Sequence, residues 1–107
     1  MNALANEEQS DVQISRSQDM VTIKVMGHFG FSLHKKFREA WQDPLPSARY
    51  VVDLGETTYA DSSALGMLLV LRDEAGGDNA DIKITRCNAD VKKILAIANF
   101  DQLFKIA

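Results

Sequence analysis

Val51-Val52-Asp53-Leu54-Gly55-Glu56-Thr57-Thr58-Tyr59-Ala60-Asp61-Ser62-Ser63-Ala64-Leu65-Gly66-Met67-Leu68-Leu69 is the stretch whose reading decides the fold. From Tyr50 to Leu54 the chain is almost continuously apolar, the pattern of a strand buried on both faces of a parallel sheet. A polar loop follows. Asp61-Ser62 then supplies N-cap chemistry for an apolar helix running to about Ala75, where Gly76-Gly77 stops it. A buried strand that feeds directly into a helix is half of a β-α-β crossover, so parallel pairing is expected around it.

The same alternation of strand and helix continues outward. Upstream, Asp11-Val12-Gln13-Ile14-Ser15 alternates polar and apolar residues, and Val21, Ile23 and Val25 alternate with Thr22 and Lys24. These read as two strands joined as a hairpin across Ser17-Gln18-Asp19. Gly27 and Gly30 end the second strand. A helix is expected from an N-cap at Ser32, with Leu33, Phe37, Ala40 and Trp41 on one face, closed by Pro44 and Pro46. Downstream, Asp81-Ile82-Lys83-Ile84-Thr85 is a further strand, and Asn88 caps a helix with Val91, Ile94, Leu95 and Ala98 as its stripe. Leu103-Phe104-Lys105-Ile106 is the last strand. The order β-β-α-β-α-β-α-β implies a single α/β domain: a mixed, mostly parallel sheet of four or five strands with three or more helices. Residues 1–10 read as a flexible, solvated tail and residues 11–107 as the domain.

Composition narrows the function. The chain has 107 residues, of which 15 are acidic and 12 basic, giving a net charge of −3 without the concentrated basic footprint that nucleic acid requires. No apolar run approaches the roughly 20 residues of a membrane span. The N-terminal residues have neither the basic start nor the apolar block of a signal peptide, and the lone Cys87 cannot form an internal disulfide. A cytoplasmic location without membrane insertion is expected. Catalytic equipment is sparse. His28 and His34 are six positions apart, which suits neither successive helical turns nor a metal site, and surface or capping roles are expected for both. No nucleophile elbow surrounds any serine, and Gly27…Gly30 and Gly76-Gly77 lack the Lys-Ser/Thr ending of a phosphate loop. Cys87 reads as structural, and Lys92 and Lys93 as solvated. The chain is expected to be no enzyme and to need no cofactor or metal.

The informative feature is the mouth of the Asp61 helix. Backbone N–H groups there lack partners and the macrodipole adds partial positive charge. Asp61 or Ser62 can act simply as the N-cap. The helix beyond is apolar nearly all round, so either Gly66 lets another element of the chain cover it or a partner does. Met67 and Val70 cannot share a stripe with both Leu65 and Leu68, and one pair is a candidate contact surface.

Asp61-Ser62-Ser63-Ala64-Leu65-Gly66, after a hydrophobic strand ending in Asp53-Leu54, resembles the hallmark of the STAS domain shared by sulfate transporter tails and bacterial anti-sigma factor antagonists. The element order matches over residues 11–106. The resemblance implies a phosphorylation-controlled partner switch. Ser62, the serine directly after the aspartate, is the implied phosphorylation site, with Ser63 the second candidate. The unmodified form would bind an anti-sigma factor or serine kinase of the histidine-kinase-like ATPase fold. Phosphorylation would release it, and a PP2C-type phosphatase would restore it. Phe29, Phe31, Tyr59, Asp61, Ser63, Ala64, Leu65, Met67 and Leu68 are the expected partner contacts. Phe29 and Phe31 could instead close the core. An alternative within the same resemblance is a STAS accessory subunit of a membrane transporter complex, with Ser62 a passive cap.

Two departures from the family pattern stand out. Gly27-His28-Phe29-Gly30 occupies the place where Gly-Glu-Leu-Asp is common, so the acidic position is missing at Gly30. Ala64 replaces a common glycine. A phosphate on Ser62 would move the net charge from −3 to about −5, concentrated at one helix mouth.

Overall fold

A computed structural model describes residues 10–42 and 49–107. Strands β1 (Asp11–Ser17) and β2 (Met20–Phe29) form the antiparallel hairpin, with Ser17 opposite Met20. A 3₁₀ turn (Phe31–Leu33) leads into α1 (His34–Gln42), followed by β3 (Arg49–Ala60), α2 (Ser62–Glu74), β4 (Ile82–Thr85), α3 (Ala89–Ile97) and β5 (Lys105–Ile106). The sheet order is β1-β2-β3-β4-β5, and every pairing after the hairpin is parallel. The α/β class, the mixed sheet and the element order follow the sequence pattern.

Each crossover joins a strand to its immediate neighbour, always stepping the same way. Right-handed connections then carry every helix to one face of the sheet. The burial pattern shows the consequence. Val21, Ile23 and Val25 on β2, Tyr50, Val52 and Leu54 on β3, and Ile82 and Ile84 on β4 are all buried toward the helices. Between them Thr22, Lys24, Val51 and Asp53 are only half-buried, and Lys83 is exposed. The expectation that β3 is buried on both faces is therefore corrected. Only one face is covered, and the other is dressed with charged pairs: Lys24 Nζ lies 2.7 Å from Glu56 Oε2, and Arg86 makes a two-pronged contact to Asp53.

The segment read as a polar loop after Leu54 is also strand. Strand β3 runs on to Ala60 because two register shifts against β2, between Lys24 and Met26 and again between Gly27 and His28, each place an extra residue on β3. Each bulge re-aims the side chains, so burial changes from alternation to Leu54, Thr57 and Ala60. Thr57 is buried without penalty because its hydroxyl donates to the Val25 carbonyl at 2.7 Å.

The first helix starts differently from expectation. Ser32 is not its cap: it lies inside the 3₁₀ turn, for which Gly30 is the extended preceding residue, and no side chain caps that turn. The predicted stripe of α1 is nevertheless the buried one. Leu33, Phe37 and Ala40 are in the core, Phe37 packs on Phe29 with ring centroids 5.3 Å apart, and Trp41 meets Phe37 edge-on at 5.8 Å. Pro44 and Pro46 lie outside the described residues. Asn88 caps α3 as expected, accepting from the Val91 N–H at 2.8 Å, and Val91 and Leu95 are fully buried. The last strand is shorter than predicted because Phe100–Gln102 forms a 3₁₀ turn that buries Phe100 and Phe104 against each other. Half-burial raises the pKa of the Cys87 thiol above its ordinary value, which suits an unreactive thiol.

In α2, Ala64, Met67, Leu68 and Leu71 are buried, the spacing of one helical face against a sheet. Leu69 and Val70 point away from it. Leu68→Ala is therefore expected to cost about 2–5 kcal/mol in urea denaturation, through lost burial and a cavity. Val70→Ala should stay within about 0.5 kcal/mol of the wild type. The Asp53 carboxyl is held below the usual carboxylate range, chiefly by the Arg86 hydrogen bonds. Its stabilisation is present above the unfolded-state pKa and is lost as pH falls through the depressed folded value. An Asp53→Asn chain should accordingly lose less stability between neutral and strongly acidic pH than the wild type, measured as urea midpoints across a pH series.

Candidate functional site at the mouth of helix α2

Strands β2 and β3 end side by side, with His28 paired to Tyr59 and Phe29 to Ala60. That register delivers Asp61, the next residue, to the start of α2 and to the loop after β2 at once. Its backbone is extended, and its N–H donates to the Phe29 carbonyl at 3.2 Å. One carboxylate oxygen, Oδ1, accepts from the N–H groups of Ser63 at 2.8 Å and Ala64 at 3.2 Å. This is an N-cap that satisfies two of the orphan donors of the first turn. The open choice between Asp61 and Ser62 as cap is thereby decided for Asp61.

The second oxygen, Oδ2, lies 3.1 Å from His28 Nε2. An ionised carboxylate only accepts, so the imidazole donates. The ring also meets Tyr59 edge-on with centroids 5.4 Å apart, and the His28 backbone N–H donates to Ser10 Oγ at 2.9 Å. Ser10 is the one described residue of the predicted tail; residues 1–9 lie outside the described residues. The missing acidic position now has a steric account. A Cβ on residue 30 would come within 2.6 Å of Asp61 Oδ2 and 3.1 Å of His28 Nε2. Gly30 is the space in which the histidine–aspartate pair forms.

With Asp61 as the cap, Ser62 occupies the first helical position and is exposed, and its hydroxyl takes no part in the cap. Ser63 is half-buried. Phe31 and Tyr59 flank the helix mouth with 67% and 53% of their surfaces exposed. The structure thus brings Phe31, Tyr59, Asp61, Ser62 and Ser63 together on one accessible surface, and Leu65 borders it half-buried. It does not do so for the remaining predicted contacts. Phe29, Ala64 and Leu68 are core residues, and Met67 is 91% covered (9% exposed). Alternation along β2 and the sheet-facing stripe of α2 turn these side chains inward, so Phe29 closes the core while Phe31 stays outside. In place of Met67 and Leu68, the outward apolar residues of α2 are Leu69 and Val70. Asp73, four residues after Leu69 and exposed, marked that face in the sequence.

Among the described residues no other element covers Gly66: none of their atoms lies within 4 Å of the place where its Cβ would be. Among the described residues, no group of three or more His, Cys, Asp or Glu side chains could hold a metal ion, and no helix is long and apolar enough to cross a membrane.

Comparison with known proteins agrees with this fold. The family model described as "Mlab, STAS domain" matches residues 5–105. A STAS-domain-containing protein of Pseudomonas aeruginosa is 56% identical over 88 residues, 81% of this chain and 87% of that protein. An anti-sigma factor antagonist from Mycobacterium paratuberculosis superposes with a TM-score of 0.76 at 14% identity, covering 89% of this chain and 82% of its own. The anti-sigma factor antagonist SpoIIAA in its unphosphorylated form gives 0.72 at 15% identity, over 90% and 87% of the two chains. The phosphorylated form of Bacillus SpoIIAA gives 0.66 at 15%, over 90% of each chain. At these identities the solved structures share the fold. With the family model spanning nearly the whole chain and the aspartate-serine-serine turn capping α2, this chain belongs to the STAS domain family.

Proposed function

We propose that this chain is an anti-sigma factor antagonist whose binding is switched by phosphorylation of Ser62. The observation that carries the reading is the division of labour at the helix mouth. Asp61 satisfies the first turn, leaving an exposed Ser62 hydroxyl free for modification without loss of the cap. A serine kinase of the histidine-kinase-like ATPase fold would transfer the γ-phosphoryl of ATP to Ser62 Oγ, and a PP2C-type phosphatase would remove it. The fold relatives include SpoIIAA in both unphosphorylated and phosphorylated forms, which supports the reading.

The physical consequences are unequal on the two sides of the switch. Within the chain, a phosphate carrying about −1.5 to −2 charges sits in the favourable field of a helix N-terminus, worth roughly 0.3–1 kcal/mol. Asp61 beside it opposes this gain. At the interface the same charge must be stripped of water against Phe31 and Tyr59, which offer no counter-charge. One modification therefore ends binding while the fold persists, and the switch operates among soluble partners in the cytoplasm.

Incubation with such a kinase and ATP should add one phosphate to the wild type and to Ser63→Ala, and none to Ser62→Ala. Peptide mapping of the phosphate to Ser63 or elsewhere would sink the assignment. Phosphorylated chain should bind the anti-sigma factor at least a thousandfold more weakly, about 4 kcal/mol, by titration calorimetry. The melting temperature should change by no more than a few degrees. Ser62→Asp should weaken binding in the same direction. Undiminished co-purification of Ser62→Asp with membrane transporter subunits would instead favour the accessory-subunit reading.

A further inference from the structure

Gly66 stands in the interior of a 13-residue helix, where glycine costs backbone entropy that alanine would not. Among the described residues nothing explains it, because no heavy atom lies within 4 Å of where its Cβ would be. It forms the floor of a groove of about 340 Å³ between α1 and α2, bordered by Phe31, Trp41 and Val70, with His34 and Arg38 along the α1 side. The Phe31 ring is stacked on His34, centroids 4.6 Å apart and 14° from parallel, so the exposed aromatic is held in place before anything binds. Lys35, Lys36 and Arg38 are the exposed cations of this helix, and of these Arg38 lines the groove. Among the described residues no carboxylate lies within ion-pair distance of Lys35 or Arg38.

We propose that this groove seats an acidic amphipathic helix of the partner, with Gly66 at the point of closest backbone approach. Helices pack with axes about 8–10 Å apart, set by the side chains between them, and removing one side chain at the crossing lets a third helix settle between two others. The apolar stripe of the incoming helix covers Phe31, Trp41 and Val70. Its carboxylates meet Arg38 at the rim, where charge-assisted hydrogen bonds set its direction. The proposal rests on the partner-switch reading and adds to it. Ser63 lines the groove, so a phosphate on the adjacent Ser62 would confront the same carboxylates that Arg38 attracts.

The test uses the full chain in its native cells with the photo-crosslinking residue p-benzoylphenylalanine in place of Val70, followed by sequencing of the crosslinked peptide and measurement of Ser62 phosphate in the same cells. The expected adduct is a partner helix with Asp or Glu three or four residues apart beside an apolar stripe. Gly66→Leu should cut its yield at least tenfold while the melting temperature stays equal to or above that of the parent chain. Arg38→Glu should cut it tenfold, and Arg38→Lys should keep at least half. Crosslinking to a second copy, to lipid, to a basic segment or to nothing overturns the proposal. So does a Gly66→Leu chain that crosslinks fully, or one that melts earlier, since the glycine would then serve the fold. Phosphate on Ser62 without an adduct removes the groove and leaves the switch standing. An acidic helix from a transporter subunit, with Ser62 unmodified, does the reverse.

Discussion

Every crossover in the sheet steps to the neighbouring strand in one direction, and connections of one hand then put α1, α2 and α3 on a single face. The other features follow from this constraint. A one-sided sheet has one apolar face to bury, so β2, β3 and β4 bury alternate residues and leave Lys24, Asp53 and Lys83 on the side facing solvent. A single layer of helices means that each has an outer face with no second layer to cover it. Helix α2 is apolar on that outer face as well, and its exposed Leu69 and Val70 are the consequence.

The site occupies the place where β2 and β3 stop together. Asp61 uses one oxygen to cap α2 and the other to hold His28, so a single carboxylate joins the loop after β2 to the helix mouth. Gly30 makes this pair sterically feasible, which links the departure from the family's acidic position to a histidine three-dimensionally beside it. The adjoining Ser62 is left outside the bonded network. The interactions that organise the turn therefore do not depend on the Ser62 hydroxyl.

Much of the architecture was legible locally. Alternation located β1, β2 and β4, helical spacing identified the buried stripes of α1 and α3, and Asp61 and Asn88 stand as the caps their residue types suggested. The errors have identifiable causes. A continuous apolar run at 50–54 suggested two-sided burial, but Val51 and Asp53 lie on the uncovered face because all crossovers share one side. The polar residues after Leu54 resembled a loop, although bulges keep them paired to β2. Ser32 had the chemistry of a cap, yet the chain enters α1 through a tighter turn that places it elsewhere.

The candidate site divides in the same way. The sequence by itself determined the family and narrowed the cap of the helix to Asp61 or Ser62, since these depend on residues within one helix start; the structure assigned the cap to Asp61. Which apolar side chains of α2 stay exposed was decided only by tertiary structure. Helical periodicity arranges Leu65, Met67, Leu68, Leu69 and Val70 around a cylinder, but rotation of that cylinder about its axis is set by packing against the sheet. Packing turned Met67 and Leu68 inward and Leu69 and Val70 outward. The pairing of His28 with Asp61 is likewise nonlocal: it spans 33 residues and exists because two strands end in register.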